Sequence, residues 1–202
     1  LLGWPWLALR GPQVFVGPTF LSHSPHGGLQ LSLRSDVAGG ALLLLVTFLG
    51  WVILRYSLSY LSGEPALRRY LRWLFATLCA VSLFILSNHL VLTLLSWIGV
   101  SLALHQLLLF YRERPQARLA AHKKFVLSRA AESLFLLAVV LIGRSLGSLQ
   151  IDVLINRVAQ PGEVPAALPT AALLIAASVV IKCAQLPSHG WLMQVMEAPT
   201  PV

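Results

Sequence analysis

Charge is the first thing this sequence lacks. Only 11% of its 202 residues are Asp, Glu, Lys or Arg, against about 25% in a soluble domain. That shortage excludes a soluble enzyme, a disordered tail and a nucleic-acid-binding arm. Cysteine is scarce too: Cys79 and Cys183 both lie in apolar stretches and make neither a disulfide framework nor a zinc quartet. There is no Gly-rich phosphate loop, no CxxC and no HExxH, so neither an ATP site nor a metal-hydrolysis site is expected. No catalytic site is expected in this chain, and any work it does must draw on an ion gradient or a partner. Acidic residues number 7 against 15 basic ones, and in a lipid setting the basic residues report topology before anything else. The chain starts at Leu1, shows no signal peptide and stops after Pro199-Thr200-Pro201-Val202. It reads as an internal piece of a longer membrane protein.

What is abundant is uninterrupted apolar sequence. A helix needs about 20 residues to cross a hydrocarbon core of ~30 Å. Val37 to Leu54 is uncharged and bounded by Asp36 and Arg55. Trp73 to Tyr111 is uncharged and twice the length of one span, with Asn88-His89 near its middle. That pattern predicts two antiparallel helices joined at a tight turn. A helix with a polar first third is predicted from about Ala117 to Leu146, and a last span from Val164 to Ile181, followed by a break near Pro187. Residues 1–35 are rich in Pro and Gly, which break helices. Leu29 to Arg34 alternates apolar and polar residues as a strand does. The fold class is therefore all-α: a polytopic transmembrane helix bundle over 36–202 with about five spans, carrying a small outer hairpin in residues 1–35. Trp4 and Trp6 suit an interface; His23 and His26 read as loop residues.

Arginine placement sets the sides. Arg68, Arg69 and Arg72 follow the first span, and Arg112, Arg114, Arg118, Lys123 and Lys124 come two spans later. The positive-inside rule makes residues 62–70 and 112–122 cytoplasmic, and residues 1–35 and 147–163 external. Such a chain is expected to be a multi-pass membrane protein with lipids around it.

Ionisable residues inside spans are costly and mark ion routes. Lys182 follows a full uncharged span, and Glu132 sits about two turns into its helix. Two plainer readings compete: Glu132 pairing with Arg129 one turn earlier, and Lys182 snorkelling to the headgroups. His105 inside the second apolar helix can relay a proton or simply pack. One of Lys123 and Lys124 is a candidate for a cytoplasmic access path; His189 lies beyond the break.

Several stretches resemble a known family. Ser96-Trp97-Ile98-Gly99-Val100, Phe110-Tyr111, the run from Ala120 to Arg129 and Glu132 resemble the proton-conducting subunits of respiratory complex I and the Mrp antiporters. The strongest block is Lys182 to Leu192 followed by Met196 to Val202. The likeness covers residues 36–202 and implies that Lys182 is a proton carrier on a broken helix. Complex I subunits place a glutamate where this chain has Ile98, so the usual carboxylate partner of the lysine is missing. Leu104-His105-Gln106-Leu107, Arg114-Pro115 and His189 to Pro199 resemble the DabB branch, the membrane subunits of dissolved-inorganic-carbon transporters. That resemblance implies a DabA-like soluble zinc protein as cytoplasmic partner. Zinc and carbon dioxide hydration would belong to the partner, driven by a proton or sodium gradient through this chain. Arg68, Arg69, Arg112 and Arg114 are the expected docking residues. A proton- or sodium-translocating subunit of complex I (subunit L type) or an Mrp antiporter is the alternative, and a scaffold that only anchors a partner is a third reading.

Overall fold

The computed structural model describes residues 13–20, 29–111, 115–160, 165–183, 185 and 190. Strands β1 (Gln13–Phe20) and β2 (Leu29–Ser35) form an antiparallel pair, with Gln13 opposite Ser35 and Phe20 opposite Leu29. The register slips between Val16 and Thr19, where Pro18 has no N–H to give to a ladder. Six helices follow: α1 (Val37–Tyr60), α2 (Leu67–Leu86), α3 (Leu90–Leu108), α4 (Pro115–Leu146), α5 (Ile151–Ala159) and α6 (Ala167–Lys182). Four of them, α1 to α4, are long and apolar enough to cross a membrane. The chain is thus a multi-pass membrane protein built of helices, with one small hairpin.

Local chemistry explains the boundaries. Asp36 is extended, and its Oδ1 accepts the Gly39 N–H at 2.6 Å, which caps the open start of α1. Proline opens α4 at a position where its missing N–H costs nothing. Gly147 ends that helix at φ 66° and donates to the Gly143 carbonyl at 3.0 Å, a left-handed cap that suits glycine. Between α2 and α3 the extended backbone of Ser87 and His89 breaks the helix. His89 Nδ1 accepts the Val91 N–H at 3.2 Å, and burial pushes the imidazole below its ordinary pKa, which keeps that nitrogen free to accept.

Helix α4 packs along α3 and α6, α3 along α2, and α2 along α1. One apolar cluster joins Leu90 and Leu94 of α3 to Phe135, Val139 and Ile142 of α4 and Leu168 of α6. A second gathers Leu61, Tyr70, Leu74, Leu107 and Phe110 at the opposite end of α3. Helix α1 buries only Gly50 and Ser57 and turns Leu42, Leu45, Phe48 and Trp51 outward, as a lipid-facing helix does.

At one end, three segments distant in sequence are tied by backbone hydrogen bonds. The Asn88 N–H donates to Ser32 O at 3.0 Å, Ile151 N–H to Asn88 O at 2.9 Å, and Leu90 N–H to Leu149 O at 2.9 Å. The hairpin, the α2–α3 turn and the segment after α4 therefore share one end of the bundle, as the alternation of spans requires.

Several expectations need correction. The first span runs to Tyr60, six residues past Leu54, with Arg55 exposed inside α1; a single exposed arginine does not stop a helix whose neighbours keep the register. Residues 151–159, read as external loop, form α5. The segment expected as the last span is α6, which starts at Ala167 and, at 16 residues, is shorter than the four helices long enough to cross a membrane. Trp4, Trp6, His23, His26, Pro187 and His189 lie outside the described residues, and the described part of α6 ends at Lys182.

Close approach of α1 to α2 depends on Gly50. A Cβ there would meet Leu78 Cδ2 at 2.8 Å and Cδ1 at 2.9 Å. Gly50→Leu is expected to destabilise the bundle by about 1–3 kcal/mol through overpacking. Adding Leu78→Ala should recover much of the loss, because the two sites share one volume. Thermal melting of the full-length protein and both variants in detergent checks this, and a double variant no more stable than Gly50→Leu would count against it.

Candidate functional site

Two helices each present a polar stripe at four-residue spacing. On α3 it is Trp97, Ser101 and His105; on α4 it is Lys124, Ser128 and Glu132. Residues i, i+4 and i+8 share a helix face, and α3 packs on α4, so the stripes meet. Lys182 ends α6 beside them.

Lys182 Nζ donates to Glu132 Oε1 at 2.9 Å and to the Ser101 hydroxyl. It lies 3.5 Å from the Trp97 carbonyl and 5.2 Å from that residue's ring centroid, within cation–π range. The other carboxylate oxygen, Oε2, forms an ion pair with Arg129 Nη2 at 2.5 Å. Arg129 in turn sits 5.2 Å over the Phe125 ring. Glu132 is 6% exposed and holds one cation on each oxygen. The intrahelical pairing with Arg129 and the reach to Lys182 therefore coexist, and Lys182 is drawn inward instead of snorkelling.

Lys124 is the larger revision. It is 5% exposed and donates to the Ser101 carbonyl at 2.7 Å. Lys123, next to it, is exposed. Adjacent helical residues point about 100° apart, so only Lys124 turns toward α3. His105 Nδ1 faces the Ala121 carbonyl at 3.2 Å. That pairing makes Nδ1 the donor and leaves Nε2 to accept. Its ring also lies 6.1 Å from His122 and 5.0 Å from Phe125.

Between the three helices lies a cavity of about 240 Å³. Ser101, Lys124, Ser128 and Lys182 give it polar walls, with Trp97 and Leu104 among the apolar ones. Such a volume holds several waters at about 30 Å³ each. Ile98 packs against the apolar cluster of Leu94 and Phe135, so the position of the usual acid is filled by a hydrocarbon contact. Glu132 approaches from α4 instead.

Sequence reasoning brought Lys182, Glu132, Lys124 and His105 to attention and missed Ser101 and Ser128. The signal was present: both serines sit midway in a four-residue polar rhythm on an otherwise apolar helix. Arg69 is engaged within the chain, donating from Nη2 to the Phe110 carbonyl at 3.0 Å and lying 5.8 Å over that ring. Arg68 lines a surface hollow with Leu71, Arg72 and Phe75. Arg112 and Arg114 lie outside the described residues. Cys79 and Cys183 are exposed and unpaired, and among the described residues no three His, Cys, Asp or Glu side chains converge as a metal site would require.

A lysine–glutamate pair with a buried carboxylate, beside a cavity inside a bundle of apolar helices, is the central feature of this multi-pass membrane protein. The family described as NADH:quinone oxidoreductase/Mrp antiporter, TM, matches residues 87–202, and the N-terminal family of complex I chain 5 matches residues 25–71. The chain belongs to the NADH:quinone oxidoreductase/Mrp antiporter family. It is 44% identical over 159 residues to a probable inorganic carbon transporter subunit DabB of Hydrogenovibrio crunogenus, covering 78% of this chain and 31% of that protein. It is also 44% identical over 180 residues to DabB2 of Halothiobacillus neapolitanus, covering 88% of this chain and 33% of the relative. Identity to NADH-quinone oxidoreductase subunit L of Mycobacterium tuberculosis is 32% over 180 residues, 88% of this chain and 28% of the relative. The chain spans about a third of the length of the DabB relatives it matches. The Mrp complex of Dietzia sp. shares the fold, with TM-score 0.77 and 21% identity over 98% of this chain and 23% of that one.

Proposed function

We propose that this chain forms the ion path of an energy-coupling membrane subunit in an inorganic carbon accumulation complex of the bacterial inner membrane. One observation carries the ion-handling part: Lys182 and Glu132, from different helices, meet at 2.9 Å beside a cavity that Ser101, Lys124 and Ser128 also line. Identity of 44% to inorganic carbon transporter subunits, against 32% to a quinone oxidoreductase subunit, supports carbon accumulation over respiration. Lys182 releases and regains the coupling ion while Glu132, with Arg129 on its second oxygen, holds the ammonium in place. The carboxylate is already shared by two cations, so the site favours a proton over sodium, which needs free oxygen ligands. His105 and Lys124, toward the end that holds the basic residues 112–122, form the access side. Exposed Lys123 stays outside that path.

The cytoplasmic face of this reading holds residues 62–70 and 112–122, and a DabA-like soluble zinc protein docks there. Arg68, Arg112 and Arg114 are the docking arginines, because Arg69 is committed to Phe110. A proton- or sodium-translocating subunit of complex I or of an Mrp antiporter is the second reading, favoured by the shared family and the Mrp-like fold.

Purification of the tagged full-length protein from its native membrane separates them. A co-purifying soluble zinc protein is the expected result, and Arg112→Gln with Arg114→Gln should lose it while leaving insertion intact. Recovery of quinone-oxidoreductase subunits alone would overturn the carbon reading.

A further inference from the structure

The ion pair leaves an imbalance of charge and of acceptors. Lys124, Lys182 and Arg129 bring three positive charges to this cluster, and Glu132 is the single carboxylate paired with it among the described residues. Both lysines converge on Ser101: Lys124 Nζ takes its carbonyl and Lys182 Nζ its hydroxyl. Like charges held together out of water repel strongly. Acceptors are short as well, since Arg129 Nε is buried and makes no hydrogen bond among the described residues. Among the described residues Lys124 has one hydrogen-bond partner, a neutral carbonyl, yet its ammonium has three donors. Its remaining donors border the 240 Å³ cavity that Lys182, Ser101 and Ser128 also line.

We propose that this cavity binds a small inorganic anion, of chloride to nitrate size, with Lys124 as its principal cationic contact and the Ser101 and Ser128 hydroxyls beside it. The cavity has room for such an ion together with water, but not for a bulky organic anion. Lys182 is engaged by Glu132, whereas Lys124 has no carboxylate of its own among the described residues, so the added anion balances Lys124. This inference does not rest on the carbon-accumulation reading. It concerns a resident counter-ion and stands or falls separately from transport.

The test uses the full-length protein, purified in detergent and melted in sodium gluconate, chloride or nitrate at constant ionic strength. Chloride or nitrate should raise the melting temperature saturably, on the order of 3 °C over gluconate, as ligand linkage predicts. Lys124→Met should abolish the rise, while Arg118→Gln, which removes an exposed charge from the same helix, should keep it. Wild-type melting temperatures equal in all three salts would overturn the proposal, as would a Lys124→Met variant that keeps the shift. Should Lys124→Met fail to assemble, wild-type crystals grown in bromide give an independent readout. An anomalous peak between α3, α4 and α6 is expected, and its absence would overturn the site.

Discussion

Lys182→Met is expected to cut ion-coupled carbon uptake by the full-length complex by on the order of 10²-fold or more, at unchanged membrane abundance. Methionine keeps the length and fits the apolar side of the cavity formed by Trp97 and Leu104. Among the described residues, it removes the one group that both hydrogen-bonds Glu132 and borders the cavity. Assembly should survive, because Glu132 retains Arg129 on its second oxygen. Lys182→Arg should fail too, although it preserves charge: a guanidinium does not release its proton in a protein. Uptake of labelled inorganic carbon by cells with equal amounts of each variant measures the effect. Wild-type uptake by Lys182→Met would remove the lysine from the ion path.

The second large effect belongs to Glu132. Glu132→Gln leaves Lys182 and Arg129 facing each other without an anion between them. Removing one partner of a buried ion pair costs about 3–5 kcal/mol, so the variant should melt earlier and transport poorly. Glu132→Asp keeps the charge on a shorter arm and should retain part of both. Arg129→Leu in the Gln background separates structure from transport. Relieving the unpaired cation should restore stability, but uptake should stay low because Lys182 still lacks its carboxylate. Recovery of uptake in that double variant would reduce Glu132 to a partner for Arg129.

The helices were readable because lipid imposes a simple rule: an uncharged run of sufficient length becomes a span. The long stretch from Trp73 to Tyr111 was correctly divided at Asn88-His89, where polar side chains stand in an apolar run. Leu29 to Arg34 was readable by its alternation. Helix α5 was not foreseen, since nine residues that bury no side chain fully carry too little pattern to distinguish from a loop. In the site, Glu132 stood out as an ionisable group inside a predicted span, and Lys182 as one that directly follows a long uncharged run. Their contact was not deducible, since 50 residues separate them and only packing of α6 on α4 brings them together. Lys124 was not told apart from Lys123 in the sequence; a helix face, not a segment average, decides which of two adjacent lysines is buried.

The backbone ties among Ser32, Asn88 and Ile151 have a mechanical consequence. A bundle laced at one end behaves like a pair of tongs. Loosening α3 from α4 near Asn88 would break several hydrogen bonds at once, whereas the cavity lies farther along the same two helices, beyond the lacing. A small tilt about the laced end would be magnified at Ser101 and Lys124, by the ratio of their distances from the fulcrum. In such a tilt the hairpin would hold the pivot, through the Asn88 N–H on the Ser32 carbonyl.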